Sequence, residues 1–224
     1  MRTFFYIFVY LLAMLLHVPA SLAQNVTSGF TIARLKYSGG GDWYNDPSSL
    51  PNMLQYLEQN TSVDVAEDEA HVSLLDENLF SYPFLFITGH GRIFFSDGEV
   101  QRLSTYLKNG GFLYADDDYG MDEFFRREMT KVFPDNQLLE VPFSHDIFHC
   151  HFDFSNGLPK IHEHDGGPPK AFAYFYEGRM VVFYSFNTNI SDGWPDPEVH
   201  GDPSDVREKA FQMGTNIIIY ALTQ

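Results

Sequence analysis

The stretch that decides the fold is residues 83–118, which read PFLFITGHGRIFFSDGEVQRLSTYLKNGGFLYADDD. It starts with an apolar run at 83–88, of the kind that is buried on both faces of a sheet. Residues 96–99 have the Ser-x-x-Glu spacing of a capping box and predict the start of a helix, which the Asn-Gly-Gly at 109–111 ends. A second apolar run follows at 112–115. Strand, helix and strand in this order favour a parallel sheet with a helix on its face.

The same alternation extends along the rest of the chain. The other predicted elements are strands at 30–35, at 63–65 or 71–74, at 171–176 and at 181–186, and helices that start near Ser48, at 121 and at Asp202. Strands that alternate with helices predict an α/β fold with a mostly parallel central sheet and helices on both faces.

Composition limits the possible partners. The chain has 224 residues, with Lys+Arg 14 against Asp+Glu 30 and a formal net charge of −16. This excess of acid argues against a nucleic-acid partner, because proteins that bind nucleic acids concentrate Lys and Arg. The hydrophobic content of 44% is enough for a sizeable core. A single Cys forms no internal disulfide, so burial must stabilise the fold.

The first residues predict export. An apolar run at 4–16 is shorter than a spanning helix, and Ser21 and Ala23 occupy the small positions that signal peptidase requires. We therefore predict a signal peptide over residues 1–23 and a single mature domain over 24–224. No later apolar segment approaches spanning length, so we expect no stable membrane span in the mature chain and a periplasmic or extracellular location.

Three predicted loops lie at the carboxyl ends of strands, at residues 39–43, 89–92 and 116–119. Ligands bind at these ends of parallel sheets because the loops converge there. His90 stands between two glycines, which let a substrate approach closely, so we predict that it acts as a catalytic base or a metal ligand. The alternative is a turn residue whose imidazole holds a neighbouring loop.

Asp116, Asp117 and Asp118 follow the fourth predicted strand. Three adjacent carboxylates repel one another, so they need a cation or a nearby arginine when they are partly buried. We predict that Asp117 shares the catalytic work with His90 and that Asp116 ligates a metal. The alternative is that these residues cap the helix that follows.

Histidines are concentrated in the long connection over residues 141–170. His145 and His149 share a face if their segment is helical, whereas His149 and His151 do so if it is extended. Imidazoles at such spacing, with a carboxylate from another loop, suit zinc or a similar divalent ion, so we predict His145 and His149 as metal ligands. The alternative is that they are loop histidines without a chemical role.

Two further groups of polar residues are interpreted as structural. His162 and His164 are assigned to a mobile acidic loop. The aspartates near Trp194 lack the spacing of an EF-hand and are interpreted as a loop and a helix cap. These aspartates are Asp192, Asp196, Asp202 and Asp205.

Several blocks of the sequence, taken in order, resemble a known family. The blocks lie at 34–44 (RLKYSGGGDWY), 82–91, 110–117, 134–135, 145–149 and 214–222 (GTNIIIYAL). Together they are similar to domain-of-unknown-function family 4159 over about the whole mature chain. The resemblance implies a flavodoxin-like three-layer sandwich similar to class I glutamine amidotransferases. Longer relatives look like envelope proteins of the aerotolerance type, which implies a role in the bacterial envelope.

The resemblance does not imply glutaminase activity. Amidotransferases carry a nucleophilic Cys on the turn after a central strand, paired with a His and a Glu. This chain has Asp116 and Asp117 at that position, and Cys150 lies in another segment. We therefore expect no glutaminase activity.

Two functions remain open. The first is a metal-dependent, hydrolase-like enzyme in which His90 and Asp117 are catalytic and Asp116, His145 and His149 hold a divalent metal such as zinc. The second is a non-catalytic module that binds a small molecule or an envelope ligand through its aromatic residues.

Overall fold

The computed structural model describes residues 29–162 and 166–224. The predicted signal peptide and His164 lie outside the described residues. None of the helices in the described part of the chain has both the length and the apolar character that crossing a membrane requires.

A seven-stranded sheet forms the centre of the fold. Its strands are β1 (Ala33–Lys36), β2 (Ala70–Ser73), β3 (Phe84–Ile87), β4 (Phe112–Asp116), β5 (Leu139–Glu140), β6 (Lys170–Tyr176) and β7 (Arg179–Phe186). Their order across the sheet is β2-β1-β3-β4-β7-β6-β5. The first five strands in this order run parallel, whereas β6 and β5 are added antiparallel. The prediction of a mixed α/β fold with a mostly parallel sheet is confirmed.

Five α-helices accompany the strands in the described residues. They are α1 (Ser49–Asn60), α2 (Asp97–Lys108), α3 (Asp122–Val132), α4 (Pro197–His200) and α5 (Ser204–Thr223). The predicted capping box is present at α2. The Ser96 side chain accepts a hydrogen bond from the backbone N–H of Glu99, and the Glu99 side chain accepts one from the backbone N–H of Ser96. Two backbone donors at the helix start are therefore satisfied.

Successive residues of the central strands face opposite sides of the sheet. Phe84 and Phe86 join a cluster of buried side chains that includes α1 and α5. Leu85 and Ile87 join a second cluster that includes α2 and α3. Because both faces are covered, every residue of β3 is buried, which explains its uninterrupted apolar sequence.

The chain turns sharply after β7. Asn187 and Asn189 both have positive φ, at 56° and 53°, and a 3₁₀ helix over Ile190–Gly193 follows. Asn tolerates this left-handed conformation better than most residues. The turn returns the chain over the carboxyl ends of β4 and β7, where the backbone N–H of Ser191 donates to Asp116.

Candidate active site

Polar side chains from several loops meet at the carboxyl ends of the parallel strands. We call this group the carboxyl-edge network. Its members are Asp42, Asn45, Asp46, His90, Asp118, His162, Asn189, Asp192, His200 and Asp202. They come from the loops after β1, β3, β4 and β7, from the segment before β6 and from the region of α4.

His90 lies at the solvent side of the network. Its Nδ1 is 3.0 Å from Asp42 Oδ2 and 3.2 Å from Asp118 Oδ2, and half of its side chain is exposed. Burial opposes the charge on the imidazole, but the carboxylates of Asp118 and Asp42 outweigh it and raise the pKa of His90. The backbone N–H of His90 also donates to Asp42, so ring and main chain are held by one carboxylate.

Asp118 is the buried partner of His90. Asn45 Nδ2 donates to its Oδ2 at 2.8 Å, and Asn189 Nδ2 donates to its Oδ1 at 3.0 Å. Burial, and next the nearby charge of Asp192, raise the pKa of Asp118 to about 7, although His90 acts in the opposite direction. A carboxylate whose pKa is raised towards neutral, beside an imidazole, is suited to general acid–base chemistry.

A second part of the network is built on Asp192 and His162. Asn189 Nδ2 also lies 3.2 Å from Asp192 Oδ2, so one amide nitrogen links Asp118 to Asp192. His162 Nδ1 is 2.9 Å from Asp192 Oδ2, and its Nε2 is 2.9 Å from Asp202 Oδ1. The hydrogen bond to Asp192 outweighs burial and raises the pKa of His162 to about 9.

His200 completes this part of the network. Its Nε2 lies 3.0 Å from Asp46 Oδ2, and its ring centroid is 5.0 Å from that of His162. One ligand atom from each of His162, Asp192 and His200 can be chosen so that all lie within 4.8 Å of one another, a spacing that a single metal ion can span.

Arg34 fixes the loop that supplies Asn45 and Asp46. Its side chain is buried within β1, and its Nε donates to Glu69 Oε2 at 2.8 Å. Its remaining nitrogens donate to Ser49 Oγ and to the backbone carbonyls of Trp43, Asn45 and Asp46. A planar guanidinium offers five donors in fixed directions, so it holds the loop in one geometry.

The side chains of Asp116 and Asp117 bond to groups other than His90. Asp116 is fully buried and accepts from Ser185 Oγ and from the backbone N–H of Ser191, and burial raises its pKa. It therefore fixes the start of the 3₁₀ helix after β7. Asp117 Oδ1 accepts from the backbone N–H of Met121 at 3.1 Å, just before α3, and burial raises its pKa to about 6. Both residues support the backbone around the site.

His145 and His149 lie at the opposite, amino edge of the sheet. The His145 ring packs near Phe175, which pairs with Met180 at the start of β7, whereas Asp116 pairs with Ser185 near its end. Five residues of strand span about 16 Å at ~3.3 Å per residue. The structure therefore does not bring His145 into one ligand set with Asp116, since metal–ligand bonds are about 2 Å long.

The local contacts of these histidines are structural. His145 Nδ1 accepts from the backbone N–H of Ile147 at 3.2 Å. His149 Nδ1 lies 2.8 Å from Asp153 Oδ1, and its Nε2 lies 2.8 Å from the carbonyl oxygen of Phe143. Burial raises the pKa of the nearby Cys150 thiol to about 11, which disfavours the thiolate that a nucleophile requires.

Of the ten members of the network, the sequence analysis predicts a chemical role only for His90. Asp118 takes the place next to His90 that was predicted for Asp117, and His162, Asp192 and Asp202 interact with one another instead of belonging to separate structural segments. The carboxyl end of the predicted strand at 181–186 was a usable signal. The strand-end rule, applied there too, selects the segment that carries Asn189 and Asp192.

Comparison with known protein families gives a match over most of the chain. A model of the family described as "Domain of unknown function (DUF4159)" matches residues 31–222. No match to the chain is found among curated proteins.

Proposed function

The chain belongs to the family described as domain of unknown function (DUF4159), and we propose that it is an exported, hydrolase-like enzyme of the bacterial envelope. The proposal assigns the proton transfers to His90 and Asp118 and makes the reaction dependent on a divalent metal. Export is inferred from the predicted signal peptide over residues 1–23.

The observation that carries the proposal is the pairing of a half-exposed imidazole with a buried carboxylate. His90 Nδ1 lies 3.2 Å from Asp118 Oδ2, and the Asp118 side chain is 4% exposed. Because Nδ1 is held between Asp42 and Asp118, Nε2 is the ring atom that exchanges a proton with water or substrate. Hydrolysis needs such a group to take a proton from the attacking water and to return one to the leaving group.

The charge of the network limits the substrate class. Asp42, Asp46, Asp118, Asp192 and Asp202 lie in one network with three histidines. This excess of carboxylates disfavours anionic substrates such as phosphate esters. Neutral or cationic esters, amides and glycosides are therefore the classes to test.

The strand order supports the finer fold assignment that we propose, a flavodoxin-like three-layer sandwich of the class I amidotransferase type. The order β2-β1-β3-β4-β7 corresponds to the doubly wound order 2-1-3-4-5. In that architecture ligands bind outside the carboxyl ends of the strands, where the carboxyl-edge network lies.

The test is a hydrolysis screen of the purified mature protein, residues 24–224, with chromogenic esters, amides and glycosides in the presence of zinc. We expect turnover of at least one class, and a loss of 100-fold or more in kcat/KM for His90→Gln and for Asp118→Asn, which is the usual contribution of a general acid or base. His149→Ala is the matched control, because it removes a histidine that is also paired with an aspartate. Equal activity of His90→Gln and wild type would contradict the proposed role.

The alternative function is a non-catalytic module that binds an envelope ligand. Two exposed aromatic side chains next to network residues favour it: Tyr44 is 64% exposed and Tyr119 is 51% exposed. They follow Asp42 and Asp118 closely in sequence, and exposed rings of this kind are suited to stacking on a ligand. Saturable binding of envelope glycans, without turnover of any probe and with loss of binding in Tyr44→Ala, would favour this alternative.

A further inference from the structure

We propose that His162, Asp192 and His200 form the binding site for one divalent transition-metal ion, with zinc as the reference ion. The chemical role of this ion rests on the proposed hydrolytic function, although the site is defined by its own geometry. Of the residues that the structure describes, these three form the one group of at least three His, Cys, Asp or Glu side chains whose ligand atoms come within 4.8 Å of one another.

The donor set specifies the class of metal. Two imidazoles and one carboxylate suit zinc and other first-row divalent ions, whereas calcium and magnesium prefer oxygen ligands alone. Three protein ligands also leave coordination positions open for water or substrate, as in catalytic zinc sites. The ligands come from three separate parts of the chain: the segment before β6, the 3₁₀ helix after β7, and α4.

Both imidazoles are already oriented by outer carboxylates. His162 Nε2 lies 2.9 Å from Asp202 Oδ1, and its Nδ1 points to Asp192 at 2.9 Å. His200 Nε2 lies 3.0 Å from Asp46 Oδ2. Metal-binding histidines usually donate their second ring N–H to a carboxylate, which fixes the tautomer and the ring orientation. Asp202 satisfies this requirement for a metal bound at His162 Nδ1.

A buried polar atom of the network also lacks a hydrogen-bond donor. Asn45 Nδ2 binds Asp118, but Asn45 Oδ1 is buried without a hydrogen-bond partner among the described residues. A buried acceptor without a donor is unfavourable by about 1–3 kcal/mol. This unpaired acceptor belongs to the residue that also holds Asp118, the carboxylate nearest to the proposed site.

The site lies beside the proposed acid–base pair. Asn189 Nδ2 donates to Asp118 Oδ1 at 3.0 Å and to Asp192 Oδ2 at 3.2 Å, so these two carboxylate oxygens are within about 6 Å of each other. A bound cation also offsets the repulsion between the two carboxylates.

A metal ion beside the acid–base pair is suited to a hydrolytic step. A divalent ion lowers the pKa of a bound water to about 7. With the ion bound, that water would form the new bond to the substrate carbon as the bond to the leaving group breaks, and its proton would pass to His90 and then to the leaving group.

The experiment is a metal titration of the mature protein after removal of metal by a chelator. Zinc is measured by elemental analysis, and cobalt serves as a spectroscopic probe of nitrogen ligation. We expect one ion per chain, and a loss of affinity of 100-fold or more in His200→Ala and Asp192→Asn. The outer-carboxylate variant Asp202→Asn is expected to weaken binding 10- to 100-fold. His149→Ala is expected to bind as wild type does, and circular dichroism checks that each variant is folded.

Two results would overturn the site: less than one zinc per wild-type chain under saturating conditions, or equal zinc affinity in wild type, His200→Ala and Asp192→Asn. The proposed function is tested separately, by hydrolysis. Stoichiometric zinc binding that both variants lose supports the site even if no probe is hydrolysed. Hydrolysis that His90→Gln abolishes, in a protein that binds no zinc, overturns the site and leaves the acid–base assignment intact.

Discussion

His90 with Asp118 and His149 with Asp153 are two imidazole–carboxylate pairs at opposite edges of one sheet. Their distances are similar, 3.2 Å and 2.8 Å, but their surroundings differ. The Asp118 side chain is 4% exposed, whereas that of Asp153 is 73% exposed. Water screens the His149–Asp153 pair, so that pair contributes little to stability. The His90–Asp118 pair instead shares its charge with buried neighbours. Distance alone therefore does not identify a site; the surroundings of the carboxylate do.

The two pairs also differ in origin. His149 and Asp153 are four residues apart in a single segment. His90 and Asp118 follow different strands, and the pairing of Ile87 in β3 with Ala115 in β4 brings their loops together. The carboxyl-edge pair consequently depends on the whole sheet and on the loops that surround it. Perturbing that support is expected to have much larger effects than perturbing the local pair.

The largest effect is expected for Arg34→Met. The variant leaves Glu69 and three loop carbonyls without their buried guanidinium, and loss of one partner of a buried charged network costs about 3–5 kcal/mol. Chemical denaturation measures the free energy of unfolding. Lys170→Met is the control, since Lys170 has an exposed carboxylate partner, Glu140. Similar losses in both variants would contradict the anchoring role of Arg34.

A smaller and pH-dependent effect is expected for Asp117→Asn. Burial raises the pKa of Asp117 from 3.8 to about 6, so the folded state binds this proton more tightly than the unfolded state does. The resulting stability is fully present below about pH 3.8 and is lost as the pH rises through about 6. Asparagine stays neutral and still accepts from Met121. We therefore expect the free energy of unfolding of the variant, relative to that of wild type, to rise by about 2 kcal/mol between pH 4 and pH 8.

Denaturation curves at the two pH values check this prediction. The free energy of unfolding of Asp117→Asn could differ from that of wild type by the same amount at pH 4 and at pH 8. That result would show that Asp117 has the same pKa in the folded and the unfolded state. It would also remove the distinction between Asp117 as a buried support and the exposed Asp153.

The smallest effect is expected for His149→Ala. The imidazole is held by Asp153 and by a backbone carbonyl at the surface, and exposed pairs contribute little to stability. We expect the midpoint of thermal unfolding and the zinc affinity to equal those of wild type within error, as measured by calorimetry and by metal titration. A large loss of zinc affinity would instead assign a metal site to the amino edge.

Much of the fold could be predicted from residues 83–118. The apolar runs at β3 and β4 and the capping box of α2 act locally, because strand burial and helix capping depend on near neighbours in sequence. The predicted second strand at 71–74 corresponds to β2. The choice between that segment and 63–65 depends on pairing with β1, which a sequence pattern does not reveal.

The candidate site was less predictable for two physical reasons. Asp116, Asp117 and Asp118 are the same residue type in a row, but each side chain has different partners in the fold. Asp116 is held by Ser185 and the backbone N–H of Ser191, and Asp117 by the backbone N–H of Met121. Asp118 is the one of the three that pairs with His90. The second part of the network depends on the left-handed turn at Asn189, which sets where Asp192 meets His162. Such long-range encounters leave no periodic pattern in the sequence.

The turn at Asn189 has a practical consequence for production of the protein. Residues Asn189-Ile190-Ser191 form an acceptor sequence for N-linked glycosylation, and the sugar would be joined to Nδ2 of Asn189. In the folded protein this nitrogen is buried and is the donor that joins Asp118 to Asp192. A glycan added during passage through a eukaryotic secretory pathway would therefore prevent the carboxyl-edge network from assembling, so protein for the experiments above should come from a host without that modification.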